Sequence, residues 1–159
     1  MLFCVLFAGC TEQPSSRSYM NTLYGFSVDP PSGWQQIDSK SPDVAVCFSP
    51  GDSSNSTLVI AVPFILAEGR ALSTLADEIE QNLSESGVNY SVLFRDWRLI
   101  SNLNAYEIAY SVEQEGEMLY VKQVAILKTR TVFLMTFTAP TSVSSLYLPV
   151  VDQSVESFL

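Results

Sequence analysis

Residues 91–139 contain four apolar segments in close succession: SVLFRDWRLI (Ser91–Ile100), AYEIAYSV (Ala105–Val112), LYVKQVAIL (Leu119–Leu127) and TVFLMTFTA (Thr131–Ala139). Each segment is rich in the β-branched and aromatic residues that favour strands. Because the connections between them are short, the pattern predicts four consecutive antiparallel strands. The last segment is apolar at successive positions, so both of its faces are expected to be buried, as in a central strand.

Shorter apolar segments precede this region and are separated by turn-forming residues. The segments expected to be extended are Leu23–Val28, Trp34–Ile37, Val44–Phe48 and Leu58–Val62. Proline, glycine, serine and asparagine between them favour turns over continued strands. The first part of the chain is therefore predicted to be a meander of short strands.

Two segments have the periodicity of helices. In the first, apolar residues recur three and four positions apart: Leu72, Leu75, Ala76, Ile79 and Leu83. This spacing predicts a helix over Ser73–Ser86 that ends at Gly87. The second segment runs from Val143 to Phe158, where Pro149 predicts either a kink or a second helix that begins with this proline. The order of elements predicts an α+β fold, a single domain whose antiparallel β-sheet is flanked by helices.

Two parts of the sequence resemble the PsbP-like family. The first is the opening YGFSVDPPSGW (Tyr24–Trp34), and the second is TFTAP (Thr136–Pro140) followed by Tyr147–Pro149 and Ser157–Phe158. The resemblance spans residues 19–159 and implies the α/β/α sandwich that is also found in the Ran-binding Mog proteins. It further implies a non-catalytic accessory or binding module that docks to a larger protein assembly, since these motifs are structural and include no catalytic signature.

The N-terminus resembles a prokaryotic lipoprotein signal. Residues 1–9 are apolar and end in small residues before Cys10, and a polar segment follows up to residue 18. We expect cleavage before Cys10, a lipid on its thiol, and a flexible tether over residues 10–18 that leads to the domain at residue 19. These features predict an extracytoplasmic lipoprotein at the outer face of the cytoplasmic membrane. The alternative is a first core strand that happens to contain two cysteines.

Composition restricts the function more than it identifies it. The chain of 159 residues has 17 acidic and 8 basic side chains, a net charge of −9, and no histidine. An acidic chain is a poor ligand for nucleic acid, which requires clustered Lys and Arg. Without histidine, the commonest general base and the commonest transition-metal ligand are missing. We therefore expect a protein without enzymatic activity and without a cofactor. The family resemblance and the N-terminal signal together imply that its partner is a membrane-associated protein.

The candidate contact residues are Arg95, Trp97 and Arg98, in the one segment that combines arginine with tryptophan. Both residue types are enriched at the hot spots of protein interfaces. The alternative is an ordinary strand with Trp97 packed beneath a helix and the arginines extended along the surface.

Cys47 is the one cysteine left beside Cys10 after signal cleavage, and we expect it to be a buried thiol rather than a nucleophile.

Glu113, Glu115 and Glu117 form the best carboxylate cluster, around Gly116. Alternate glutamates in a loop can direct oxygen ligands at a hard cation such as calcium. The alternative is a solvated acidic turn, because the Asp-rich spacing of a dedicated calcium loop is missing. The cluster is the basis of a second hypothesis, in which the lipoprotein binds calcium or a small ligand.

Three Asn-x-Ser/Thr triplets begin at Asn55, Asn82 and Asn89. They are glycosylation acceptors if the organism modifies its surface proteins in this way. Each of the three asparagines is then expected on the solvent side of the domain.

Overall fold

The computed structural model, which describes residues 18–159, has the predicted order of strands and helices. Its elements are β1 (Tyr19–Asn21), β2 (Phe26–Val28), β3 (Gln35–Ile37), β4 (Val44–Ser49), β5 (Thr57–Ala61), β6 (Phe64–Ile65), α1 (Thr74–Ser86), β7 (Tyr90–Ile100), β8 (Leu103–Gln114), β9 (Glu117–Lys128), β10 (Thr131–Pro140) and α2 (Thr141–Glu156). The α+β class and the antiparallel pairing are confirmed. The pattern does not predict β1 and β6, which are only three and two residues long.

The main sheet has the strand order β3-β4-β5-β10-β9-β8-β7, and the short β6 also pairs with β10. Strand β10 is central, as its apolar pattern predicts, and it lies between β5 and β9. Its buried side chains belong to both faces of the sheet: Val132, Phe133, Met135, Phe137 and Ala139. A separate two-stranded sheet is formed by β1 and β2. The predicted segment Leu23–Val28 is extended only from Phe26, because residues 22–25 form a turn in which Gly25 has a φ of 69°.

The hairpins between β7 and β9 are tighter than the sequence predicts, because the pattern indicates connections over residues 101–104 and 114–117. Strand β7 connects to β8 through Ser101 and Asn102, whose φ angles are 49° and 64°. The next turn consists of Glu115 and Gly116, with φ angles of 53° and 84°. Two central residues with positive φ match the right-handed twist of paired strands. The strands therefore continue to the turns and are longer than their apolar cores.

A helix covers each face of the sheet, so the predicted α/β/α sandwich is confirmed. On one face, here called the α1 face, Ala76 of α1 packs on Ile108, Tyr110 and Val121. The opposite α2 face carries the larger core, in which α2 packs on the sheet together with the β1–β2 hairpin. Its fully buried side chains include Phe48, Ile60, Phe133, Phe137 and Phe158.

Both helices lie where the periodicity predicts them. Helix α1 begins one residue later than expected and ends at Gly87, whose φ of 71° is the left-handed conformation that glycine favours at this position. Helix α2 is continuous from Thr141 to Glu156 and contains Pro149, so the expectation of a second helix at this proline is wrong. Pro149 cannot donate to the carbonyl of Ser145, and both residues are exposed. Water can satisfy that carbonyl, so the helix continues.

Candidate functional site

The outer edge of β7, here called the β7 edge, carries more exposed large apolar side chains than any other strand among residues 18–159. Strand β7 ends the sheet, and no described residue pairs with its outer side. Seven of its eleven residues are exposed. Four of them are large and apolar: Leu93, Phe94, Trp97 and Leu99. A long unpaired strand with apolar side chains is a template for association with another chain.

Trp97 and Leu99 form the exposed centre of the β7 edge. Trp97 lies opposite Tyr106 in the register, and the two rings meet edge to face with centroids 4.9 Å apart. Tyr106 fixes the indole from one side, and 53% of Trp97 remains exposed. Leu99 follows on the same face and is 65% exposed. Together with Arg98 and Asn104 they line an open recess of 540 Å³.

The structure divides the three predicted contact residues between the two faces of the sheet. Arg95 lies on the α1 face, where its Nη1 atom is 2.8 Å from Asp77 Oδ1 and its other terminal nitrogen pairs with Glu80. Trp97 shares this face and is not packed beneath a helix. Arg98 lies on the α2 face. The three residues therefore share one strand edge but not one surface.

Arg98 belongs to a charge cluster that the sequence does not reveal. Its Nη1 atom is 2.8 Å from Glu107 Oε2, and its other terminal nitrogen pairs with Glu156 of α2. Lys122 is only 6% exposed, and its Nζ atom is 2.8 Å from Asp152 Oδ1 and 3.3 Å from Glu107 Oε2. These pairs connect β7, β8 and β9 with α2. The signal in the sequence that could have indicated it is Lys122, the single charged residue of the apolar segment Leu119–Leu127, because a charge in a buried strand needs a partner.

Comparison with known proteins identifies the architecture. No family model and no curated protein sequence matches this chain. A cyanobacterial PsbP (CyanoP) from Synechocystis sp. PCC 6803 superposes with a TM-score of 0.69 at 17% identity, covering 95% of each chain. This chain has the PsbP-like fold.

Two further structures have the PsbP-like fold. LpqN, which is involved in cell envelope biogenesis of Mycobacterium tuberculosis, superposes with a TM-score of 0.64 at 12% identity, covering 84% of this chain and 82% of LpqN. The Saccharomyces cerevisiae Ran-binding protein Mog1p superposes with a TM-score of 0.62 at 11% identity, covering 91% of this chain and 96% of Mog1p. At these identities the likeness establishes the fold, and the roles of individual residues depend on the geometry of this chain.

The three glutamates of the β8–β9 turn do not converge on one point. Glu113 lies opposite Met118, whereas Glu117 lies opposite Gln114, so their side chains leave the hairpin on opposite faces. Glu115 occupies the turn itself, and Glu113 accepts a hydrogen bond from Asn89 Nδ2 at 3.2 Å. Among residues 18–159, no three acidic or cysteine side chains are placed to hold a metal ion. This geometry favours the solvated acidic turn.

Cys47 is buried in β4, with 6% exposure. Its side chain lies on the α1 face opposite Val59, and Sγ donates weakly to the carbonyl of Phe48 at 3.9 Å. Burial raises the pKa of the Cys47 thiol above its usual value, which keeps it protonated and a poor nucleophile. The structure thus favours the interpretation of Cys47 as a packing residue.

The remaining predicted sites concern modification. Asn55, Asn82 and Asn89 are all exposed, in the β4–β5 loop, on α1 and before β7 respectively, so each is accessible to a glycosylating enzyme. Their use remains a prediction. Cys10 and the signal segment at residues 1–9 lie outside the described residues. Neither described helix is long and apolar enough to cross a membrane.

A groove of 320 Å³ lies between the end of α1 and the sheet, here called the α1 groove. Leu83, Val112 and Val121 provide apolar walls, and Gln123 also lines the groove. Its Nε2 atom donates to Thr136 Oγ1 at 3.3 Å, whereas its Oε1 atom is buried and has no partner among the described residues. The α1 groove thus has apolar walls and one lining glutamine whose Oε1 atom is buried without a partner.

Proposed function

We propose that this chain is a non-catalytic binding module that docks onto a membrane-associated protein through the β7 edge. The observation that carries the proposal is the concentration of exposed apolar side chains on one unpaired strand. Such surface is poorly solvated in the free protein, and covering it with a partner is favourable. A lipid on Cys10 holds the module at the outer face of the cytoplasmic membrane, and residues 10–18 tether the domain to it.

The described roles of proteins with this fold support a binding function. Mog1p is a Ran-binding protein, and LpqN is involved in cell envelope biogenesis. The chemistry of this chain supports a non-catalytic role, because it has no histidine and its Cys47 thiol is buried with a raised pKa. A nucleophile with an adjacent base therefore cannot be nominated from its residues.

Site-specific photocrosslinking tests the docking surface. We would place a benzophenone amino acid at Leu99 on the β7 edge, and in a second variant at Leu146 on α2, which is similarly exposed at 70%. In native membranes the Leu99 variant should form one crosslink to a protein, and the Leu146 variant should not. Equal crosslinking from both positions, or none from Leu99, would show that the β7 edge is not the contact surface.

A second candidate function is the binding of a small molecule in the α1 groove. The observation in its favour is the buried Gln123 Oε1 beside a 320 Å³ space, since small-molecule sites combine apolar walls with few polar groups. A ligand with an apolar body and one N–H or O–H donor fits this chemistry. Small aromatic alcohols should then shift the amide resonances of Val121 and Gln123. Unchanged resonances at millimolar concentration would count against this candidate.

Calcium binding at Glu113, Glu115 and Glu117 remains a prediction that no contact supports.

A further inference from the structure

The hairpin turn determines which backbone groups of β7 face outward. Ile100 and Leu103 close the two-residue turn, so they are a hydrogen-bonded pair. Bonded and non-bonded pairs alternate along antiparallel strands. Consequently Asp96 and Arg98 bond to β8, and the N–H and C=O groups of Arg95, Trp97 and Leu99 point away from the sheet. The β7 edge therefore presents three residues that can accept another strand.

One outward group is already occupied by a neighbouring side chain. The Trp97 N–H donates to Asp96 Oδ1 at 2.8 Å. This bond agrees with the outward direction of the Trp97 amide, and it protects the centre of the edge against indiscriminate pairing. A partner strand has to draw the Asp96 carboxylate away before it can bond to this amide. A basic side chain placed opposite Asp96 would do so by forming an ion pair.

The charge around the β7 edge favours such a partner. Three cationic side chains, Arg95, Arg98 and Lys122, lie among six carboxylates, which leaves a local net charge of −3. The carboxylates belong to Asp77, Glu80, Asp96, Glu107, Asp152 and Glu156. Each cation already contacts two carboxylates, whereas Asp96 has only the Trp97 amide as a partner among the described residues. Asp96 is therefore the carboxylate of this group that lacks a cationic partner, so a positive charge beside it would be favourable.

A second copy of this chain is a poor source of a cationic partner for Asp96. Two β7 strands could pair antiparallel about Trp97, which would set Asp96 of each copy opposite Arg98 of the other. Arg98, however, already bonds to Glu107 and Glu156. Pairing would also bring together two edges of net negative charge on chains that each carry −9.

We propose that an extended segment of the partner adds to the β7 edge as a further strand, with a basic side chain opposite Asp96 and apolar side chains beside Trp97 and Leu99. This inference rests on the proposed docking function. The added strand is limited at one end by the irregular register between Val92 and Phe94 and at the other by the turn after Ile100. The partner segment is thus short, and apolar and basic residues alternate in it.

Hydrogen exchange with designed peptides tests the inference. The probe is a capped peptide of alternating lysine and valine, and one matched control has glutamate in place of lysine. Another control has the lysine–valine composition with a central proline, which keeps the charge and prevents strand pairing. With the probe at saturation, exchange of the Arg95, Trp97 and Leu99 amides should slow about tenfold, and neither control should slow it.

Substitution of Asp96 supplies a second readout. Asp96→Asn should weaken binding of the lysine–valine peptide about three- to tenfold, in the range of a partly exposed ion pair. The matched variant Asp38→Asn, at an exposed position before β4, should not alter it. Equal affinity of the Asp96 and Asp38 variants would overturn the role of Asp96.

The remaining outcomes separate strand addition from docking. Strand addition by a basic segment would be overturned if the glutamate or proline peptide slowed amide exchange as much as the probe does. It would also be overturned if the probe did not slow amide exchange. Light scattering that finds a dimer in which the β7 amides are protected would overturn it as well. If the Leu99 photocrosslink persists in any of these cases, docking at the β7 edge stands and only its mode is wrong. If the crosslink is also lost, the proposed function fails as well.

Discussion

Phe137 and Ile79 show that the degree of burial determines how much a single side chain contributes to the stability of the fold. Phe137 is 1% exposed, and its ring packs against Trp34 and Tyr120 with centroids 6.3 and 6.1 Å away. Ile79 belongs to the apolar stripe of α1, but it is only partly buried beside Ala76 and Ile108. The periodicity of the sequence ranks the two residues alike, because it reports which face is apolar and not how completely that face is covered.

We predict that Phe137→Ala lowers the free energy of unfolding by about 3–5 kcal/mol, because it leaves a cavity in the larger core. Ile79→Ala should cost about 1–2 kcal/mol, since part of its side chain is exposed in the folded state. Urea denaturation measures both values. Leu146→Ala, at a position that is 70% exposed, is the control and should change stability by less than about 0.5 kcal/mol. A loss for Phe137→Ala no larger than that of the control would contradict the assigned core.

At the scale of elements, the sequence predicts the strands from β7 to β10 and both helices. It does so because alternation, turn residues and helical spacing are local properties. It misplaces the hairpin loops, since positive φ at Ser101 and Glu115 is not evident from residue types that rarely adopt it. It also misses β1 and β6, which pairing alone makes extended.

The candidate site is harder to predict than the fold, because it depends on contacts between distant elements. Arg95, Trp97 and Arg98 lie within four consecutive residues, but strand geometry directs Arg98 to the opposite face from the other two. The ion pairs that bind Lys122 to Asp152 and Arg98 to Glu156 connect residues of β7 and β9 with α2. No local pattern specifies such pairs. The β7 edge itself follows from the strand order, which places β7 last.

Tyr120 provides a pH-dependent test of the packing between β9 and α2. Burial raises the pKa of Tyr120 from 10.0 to about 12, and Asp152 and Glu107 add to the effect by repelling the phenolate. Below pH 10 the phenol is neutral in both the folded and the unfolded chain, so burying it does not lower the free energy of unfolding. Between about pH 10 and 12 the unfolded chain loses its proton first, so the free energy of unfolding falls as pH rises.

We predict that this loss amounts to about 1–2 kcal/mol for the native chain, allowing for partial exposure of the ring. Tyr120→Phe removes the ionisable group, so its stability should decline less steeply over the same interval. Chemical denaturation at closely spaced alkaline pH values measures the difference between the two curves. Parallel curves would show that Tyr120 is not held in a buried, acidic environment.

At the scale of the whole molecule, net charge and anchoring are linked. The chain carries −9 overall, whereas the cytoplasmic membrane presents anionic lipids. An anionic surface repels such an acidic domain, so the proposed position at the membrane needs an attachment that opposes this repulsion. In the proposed arrangement the lipid on Cys10, which follows an apolar segment, supplies this attachment. One acyl chain gives only marginal binding, so the modified cysteine would need two or more.

We predict that Cys10→Ser abolishes binding to protein-free vesicles of the native lipids, because the proposed lipid is then missing and an anionic surface repels the acidic domain. The fold should not change, since residue 10 precedes the first described strand, which begins at Tyr19, and the melting temperature should stay within about 1 °C of that of the detergent-solubilised native protein. Vesicle sedimentation measures the first effect and calorimetry the second, while mass spectrometry of the native protein should find a diacylated or triacylated Cys10. Cys47→Ser is the matched control, which should stay with the vesicles because its thiol is buried in β4. An unmodified Cys10, or a Cys10→Ser variant that still sediments with protein-free vesicles, would refute lipid anchoring.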